Sequence, residues 1–160
     1  MRRELLLPWV GLAIRLAAAA IWLVAGAAKI GDLEHFRAQV HASQLLPHAL
    51  EAPFAYALPF VEVGIGLYLA LGLLVRPAAI AGCLLMVLFV VAMAQALARG
   101  LSLDCGCFGT VAREHVGLGP ILRDAALGLP SLVLAIRPAR LASIDRRFLG
   151  HPDRFAPQAS

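Results

Sequence analysis

Apolar residues in this chain do not alternate with polar ones; they run on. Predominantly apolar stretches extend from Val10 to Ile30, from Phe54 to Val75, from Ala78 to Ala98 and from Val116 to Ile136. They break at Gly31-Asp32, Arg76-Pro77, Arg99-Gly100 and Arg137-Pro138, where charge and glycine or proline end each run. About 20 residues of helix cross the roughly 30 Å hydrocarbon core of a bilayer, so each stretch suffices for one crossing. In lipid the backbone must satisfy its own hydrogen bonds, which makes such stretches helices. The pattern predicts an all-α fold, an integral membrane four-helix bundle.

One segment has a different rhythm. In GDLEHFRAQVHASQLLP, between the first two runs, Leu33, Phe36 and Val40 recur at spacings of three and four, and Asp32 stands where an N-cap belongs. This predicts a short amphipathic helix in the first outer loop, lying across the end of the bundle and roofing the loop between the third and fourth spans. The histidines here, His35, His41 and His48, read as solvated residues.

Composition agrees with a bilayer as solvent: 61% of residues are hydrophobic and 15% charged, against about 45–50% and 25% in soluble domains. The start MRRELLLPWV has the two arginines of a signal peptide, but Arg15 interrupts the apolar region that would follow, so the first span is expected to be retained. Lys and Arg in the short flanks then orient the chain. With the N-terminus inside, Arg2, Arg3, Arg76, Arg137 and the arginines of the tail share the cytoplasmic side, and Lys29, Arg37, Arg99 and Arg113 lie outside. The expected organisation is a cytoplasmic N-terminus over residues 1–9, a membrane domain over 10–136, and a basic, partly disordered cytoplasmic tail over 137–160, in a bacterial-type inner membrane. Nothing interleaves the arginines with a readout surface, so nucleic acid is not an expected partner. No phosphate-cradling glycine loop or Ser-His-Asp spacing is present.

That orientation puts Cys105 and Cys107 on the outer face, where disulfides form and persist. Two cysteines one glycine apart close only a very small ring, in which preferred disulfide geometry is hard to meet. Strained, exposed disulfides tend to be the labile or catalytic ones, and Gly106 supplies the backbone freedom for such a ring. Asp104 disfavours a thiolate; Arg99, Arg113 and His115 would favour one. Three readings follow: a redox couple, a structural staple that stabilises little by chain entropy, and a thiolate metal site short of the usual paired ligands. Cys83, about 30 Å of helix away, reads as a small buried apolar side chain. No dedicated metal site is expected.

Ionisable residues inside the spans are costly and mark function by default. They are Arg15, Glu62, Arg123 and Asp124. Counted at 1.5 Å per residue, Glu62 lies about 12 Å and Arg123 about 10 Å below the outer ends of their spans, which makes them the best-matched pair, with Arg15 reaching up from the cytoplasmic side. Pro59, three residues before Glu62, frees a backbone carbonyl one turn earlier and so predicts a kink and a polar pocket beside the carboxylate.

The stretches LAIRLAAAAIWLVAGAAKIGDLEHF and LPFVEVGIGLYLALG resemble the first half of the DoxX-like membrane proteins: an early arginine, Gly-x-x-Lys at the end of the first span, and Pro-x-x-Glu in the second. CGCFG followed by ILRDAALG is similar to the MauE branch of that superfamily. The resemblance covers about residues 10–136. It implies a redox-associated four-helix membrane protein that helps make or maintain disulfides outside the cytoplasm, in maturation of the small subunit of methylamine dehydrogenase, beside a thioredoxin-like partner. The matching positions are Arg15, Lys29, Glu62, Cys105, Cys107 and Arg123, with Asp104, Gly106, Phe108 and Gly109 shaping the cysteine loop. On this reading Cys105 and Cys107 are the catalytic pair, exchanging with a thioredoxin-like protein or a secreted client, and a lipid quinone near Pro59, Glu62 and Arg123 is a candidate electron acceptor. Two alternatives stay open: a small transporter for a soft metal ion or other solute along Arg15, Glu62 and Arg123, and a non-catalytic assembly or chaperone subunit.

Overall fold

The computed structural model describes residues 2–100 and 118–136. They form helices α1 (Arg2–Gly31), α2 (Leu33–Ser43), α3 (His48–Leu71), α4 (Val75–Ala98) and α5 (Leu118–Ile136), with no strand among the described residues. Among the described residues four segments are long and apolar enough to cross a membrane: Trp9–Gly31 within α1, and the whole of α3, α4 and α5. The chain is a multi-pass membrane protein built as a helical bundle, and α2 is the amphipathic helix expected between the first two spans. Asp32 caps it, its Oδ1 accepting from the His35 amide at 3.2 Å. Phe36 and Val40 form its buried face.

Helix α3 differs from the expected second span at both ends. It starts at His48, behind Pro47 as N-cap residue, and so extends almost two turns further toward α2 than Phe54. Its other end is set by Gly72, whose φ of 69° places it in the left-handed region. There the Leu73 amide donates to the Tyr68 carbonyl at 2.9 Å and the Gly72 amide to the Leu69 carbonyl at 3.2 Å, the two bonds of a Schellman motif. The turn therefore falls at Gly72–Leu74, before Arg76-Pro77. Pro77 lies in the first turn of α4, where its missing N–H would be unpaired in any case.

Small residues line the helix contacts and large ones face out. Ala18, Ala19, Ala25, Ala55, Ala78, Ala79 and Ala96 are buried, while Phe60, Leu67, Leu84, Val87, Leu122 and Leu129 are exposed. Lipid tails are as apolar as leucine, so helices gain by close van der Waals approach rather than by hiding bulk. The α1–α3 seam shows this best: a Cβ at Gly26 would meet Val63 Cγ2 at 2.7 Å and the Pro59 carbonyl oxygen at 2.8 Å, and one at Gly66 would meet Leu23 Cγ at 2.7 Å. Position 26 faces 59 and 63 while 23 faces 66, so the two helices are antiparallel.

The bundle is organised in layers seven residues apart. In the middle layer Trp22 of α1 lies against Gly82 of α4, its Nε1 donates to Ser131 Oγ of α5 at 3.0 Å, and Leu69 of α3 belongs to the same core cluster. Seven residues toward the α2 end, about 10 Å along each axis, Trp22 gives way to Lys29, Gly82 to Phe89, Ser131 to Asp124 and Leu69 to Glu62. In the other direction Trp22 leads to Arg15 and Gly82 to Val75, both buried. A seven-residue repeat keeps one face of each helix on the bundle axis, as in four-helix bundles generally.

Candidate functional site

The layer below α2 holds charge in a dry place. Lys29 Nζ donates to both carboxylate oxygens of Glu62 at 2.9 Å, and neither side chain is exposed at all. The ammonium also lies 5.6 Å from the ring centroid of Phe36 and 5.2 Å from that of Phe89, so two aromatic faces add cation–π attraction. Lys29 sits in the last turn of α1, where a cation complements the negative end of the helix dipole. Because α3 projects beyond the end of α1, α2 folds back on the projecting part, and Phe36 and Val40 pack with Ala55 and Leu58. The ion pair is thereby capped by α2 rather than open at the end of the bundle.

Asp124, at the same level on α5, is fully buried, and Arg123 Nε lies 3.2 Å from its Oδ1. The expected pairing of Glu62 with Arg123 is thus corrected: Glu62 takes Lys29 from α1, and Arg123 meets the aspartate of its own helix. Depth alone misled here because depth does not say which way a side chain points. Moreover, Phe36 of α2 packs over the Lys29 ammonium, so a lysine two residues from a helix end is still inside the protein.

Arg15 is buried at 2% exposure but stands two layers, about 21 Å of helix, from Lys29. The layer of Trp22, Leu69 and Ser131 lies between. Arg15 is therefore not part of the layer that holds Lys29, Glu62 and Asp124. The residues do not fit a quinone: Pro59 is fully buried against Gly26, and both Glu62 oxygens are held by Lys29.

Cys105 and Cys107, with Asp104, Gly106, Phe108 and Gly109, lie outside the described residues, as do His115 and the tail over 137–160. The chain departs toward them beside α2: Arg99 Nη1 donates to the Ser43 carbonyl at 3.3 Å, tying the end of α4 to the end of α2. Cys83, on α4, is half-buried.

Two groupings escaped the sequence reading. Trp22 and Ser131, 109 residues apart, looked like ordinary span residues. His41, His48 and Glu51 converge where α2 hands over to α3: His41 Nδ1 lies 2.8 Å from Glu51 Oε2, and His48 Nδ1 lies 3.1 Å from Glu51 Oε1. The spacing of His48 and Glu51, three residues apart, was the available signal; His41 joins them only because the left-handed Gln44 reverses the chain.

Comparison with known proteins adds a family. Residues 7–137 match the family model described as Methylamine utilisation protein MauE. The methylamine utilization protein MauE of Paracoccus denitrificans is 32% identical over 88% of this chain and 75% of its own length. That of Methylorubrum extorquens is 38% identical over 72% of this chain, which spans 63% of that relative. The Methylophilus methylotrophus protein of the same name is 32% identical over 86% and 74%. No solved structure matches the chain.

Proposed function

Because this chain belongs to the MauE family, we propose that it serves methylamine utilisation as a membrane partner in disulfide exchange, acting through Cys105 and Cys107 on an extracytoplasmic protein. The client is of the disulfide-rich methylamine dehydrogenase subunit type, reached directly or through a thioredoxin-like protein. Both termini are cytoplasmic in this reading and the cysteine pair is outside, as the distribution of Lys and Arg favours.

The observation that carries the proposal is the Cys105-Gly106-Cys107 spacing, within a match to the family that runs from residue 7 to residue 137. The fold supports it. The chain enters the cysteine segment beside α2, on the side of the bundle where Lys29, Glu62 and Asp124 form the polar layer. That layer ties α1 to α3, with Asp124 of α5 at the same depth, which suits a scaffold presenting a reactive segment.

The chemistry balances with a second protein disulfide as the terminal oxidant. A thiolate of the partner attacks one sulfur of the Cys105–Cys107 disulfide; a mixed disulfide forms as the original S–S bond breaks, and the second partner thiol displaces it. The partner becomes the disulfide, Cys105 and Cys107 become the dithiol, and two electrons and two protons have moved. Exchange with a second protein disulfide runs the same steps in reverse and restores the pair.

The test is the redox state of Cys105 and Cys107 in intact cells, trapped by acid quench and alkylation, together with a Cys107→Ser variant that cannot resolve a mixed disulfide. The expected result is a reversible couple and a covalent partner identified by mass. Thiols that stay reduced in an oxidising compartment would overturn the proposal, as would a Cys105→Ser, Cys107→Ser protein with full activity in complementation; the latter is what a non-catalytic assembly subunit gives.

A further inference from the structure

Where α2 ends and α3 begins, two imidazoles and one carboxylate offer ligand atoms that all lie within 4.8 Å of one another. His41 comes from the last turn of α2, His48 is the first residue of α3, and Glu51 follows one turn on. Glu51 is the fixed member, with its side chain 10% exposed, while those of His41 and His48 are 64% and 86% exposed and free to turn. Both Nδ1 atoms already face the same carboxylate, and the ring centroids are 5.4 Å apart.

We propose that His41, His48 and Glu51 form a binding site for a borderline divalent metal ion of the Zn²⁺ class, clamping α2 to α3 and leaving a fourth position for water or another ligand. The donor set selects the ion. Imidazole suits Zn²⁺, Cu²⁺ and Ni²⁺, whereas Mg²⁺ and Ca²⁺ require oxygen shells that one carboxylate does not provide. Tetrahedral Zn²⁺ with bonds of about 2.0–2.2 Å holds its donors about 3.3 Å apart, so closing the site takes a shift of order 1 Å in exposed rings. Each histidine then carries its proton on Nε2, freeing Nδ1 for the ion. The carboxylate that now accepts from both rings supplies the negative charge. Two helix ends joined only by a short turn become cross-linked, which fixes the segment that caps Lys29 and Glu62.

The test uses the full-length protein in detergent micelles, stripped with chelator and titrated calorimetrically with Zn²⁺, both as wild type and as the Cys105→Ser, Cys107→Ser variant. Its outcome is thereby independent of the thiol chemistry proposed above. One ion per chain is expected in both proteins, with His41→Ala and His48→Ala each weakening binding at least tenfold, the lower end of what losing even an outer-shell partner costs. Cu²⁺ in the same site should show nitrogen superhyperfine splitting in electron paramagnetic resonance, lost in the His41→Ala, His48→Ala double variant. Both rings are largely exposed, so these variants fold; circular dichroism checks it. No uptake at micromolar Zn²⁺, unchanged binding in the histidine variants, or binding lost with the serine substitutions would each overturn the proposal.

Discussion

Replacing Lys29 with methionine removes the ammonium and keeps most of the volume. At 2.9 Å the pair attracts by about 6 kcal/mol at an effective dielectric constant of 20, and desolvating the two ions offsets most of that. The net worth of the pair is therefore small, but the loss of one partner is not: breaking a buried pair costs about 3–5 kcal/mol because the remaining charge has no substitute. The two single variants should differ. Without Glu62, Lys29 sits at the end of α1 and can reach the polar end of the bundle on its flexible stem if α2 shifts. Without Lys29, Glu62 is held in mid-helix with Pro59 and Gly26 packed beside it and cannot leave. Lys29→Met is thus expected to cost about 3–5 kcal/mol, Glu62→Met less, and the double variant less than either. The assay is unfolding in mixed micelles by titration with sodium dodecyl sulfate, followed by fluorescence of the buried Trp22 and completed as a double-mutant cycle. A Lys29→Met protein within about 1 kcal/mol of wild type, or a double variant as unstable as the sum of the singles, would refute the reasoning.

Two further outcomes follow from the packing. Gly26→Val puts a Cβ at 2.7 Å from Val63 Cγ2 and 2.8 Å from the Pro59 carbonyl oxygen; overpacking of this kind costs about 1–3 kcal/mol, read in the same titration, and unchanged stability would mean that α1 and α3 do not meet there. Ser131→Ala leaves the buried Trp22 Nε1 without its acceptor at 3.0 Å, a loss of about 1–3 kcal/mol, accompanied by a shift in Trp22 emission; no change in either would sever the α1–α5 register on which the layers rest.

The spans were legible because hydrocarbon leaves the backbone no alternative to helix over apolar runs, and α2 because Leu33, Phe36 and Val40 kept a helical period behind an aspartate cap. The turn into α4 was read three residues late. Charge and proline at Arg76-Pro77 are the louder signal, yet it is Gly72 in the left-handed region that stops α3. The pairing of charges was not legible at all. Whether Glu62 meets Arg123 or Lys29 depends on rotation about the helix axis and on which helices are neighbours, and a count of residues from a span end contains neither quantity. The seven-residue step from Trp22 to Lys29, Gly82 to Phe89 and Ser131 to Asp124 carried that information. It becomes visible only once the Trp22–Ser131 hydrogen bond supplies one point of registration.

A bundle packed through alanine and glycine in lipid has a particular weakness. Every such seam slides easily, because one small residue meets another much as well as the next, and lipid gives no hydrophobic penalty for the slip. The charged layer removes that freedom. Moving α1 by one turn past α3 separates Lys29 from Glu62 by about 5.4 Å and leaves both unpaired in hydrocarbon, the most costly arrangement available to them. The charge therefore acts less as stabilisation than as specification of one register among several of similar packing, a role that buried polar groups hold in some coiled coils. It also explains the position of the layer. The register is set at the end of the bundle that carries α2 and Arg99, so a slip that would be tolerated in the Ala-lined interior is forbidden there.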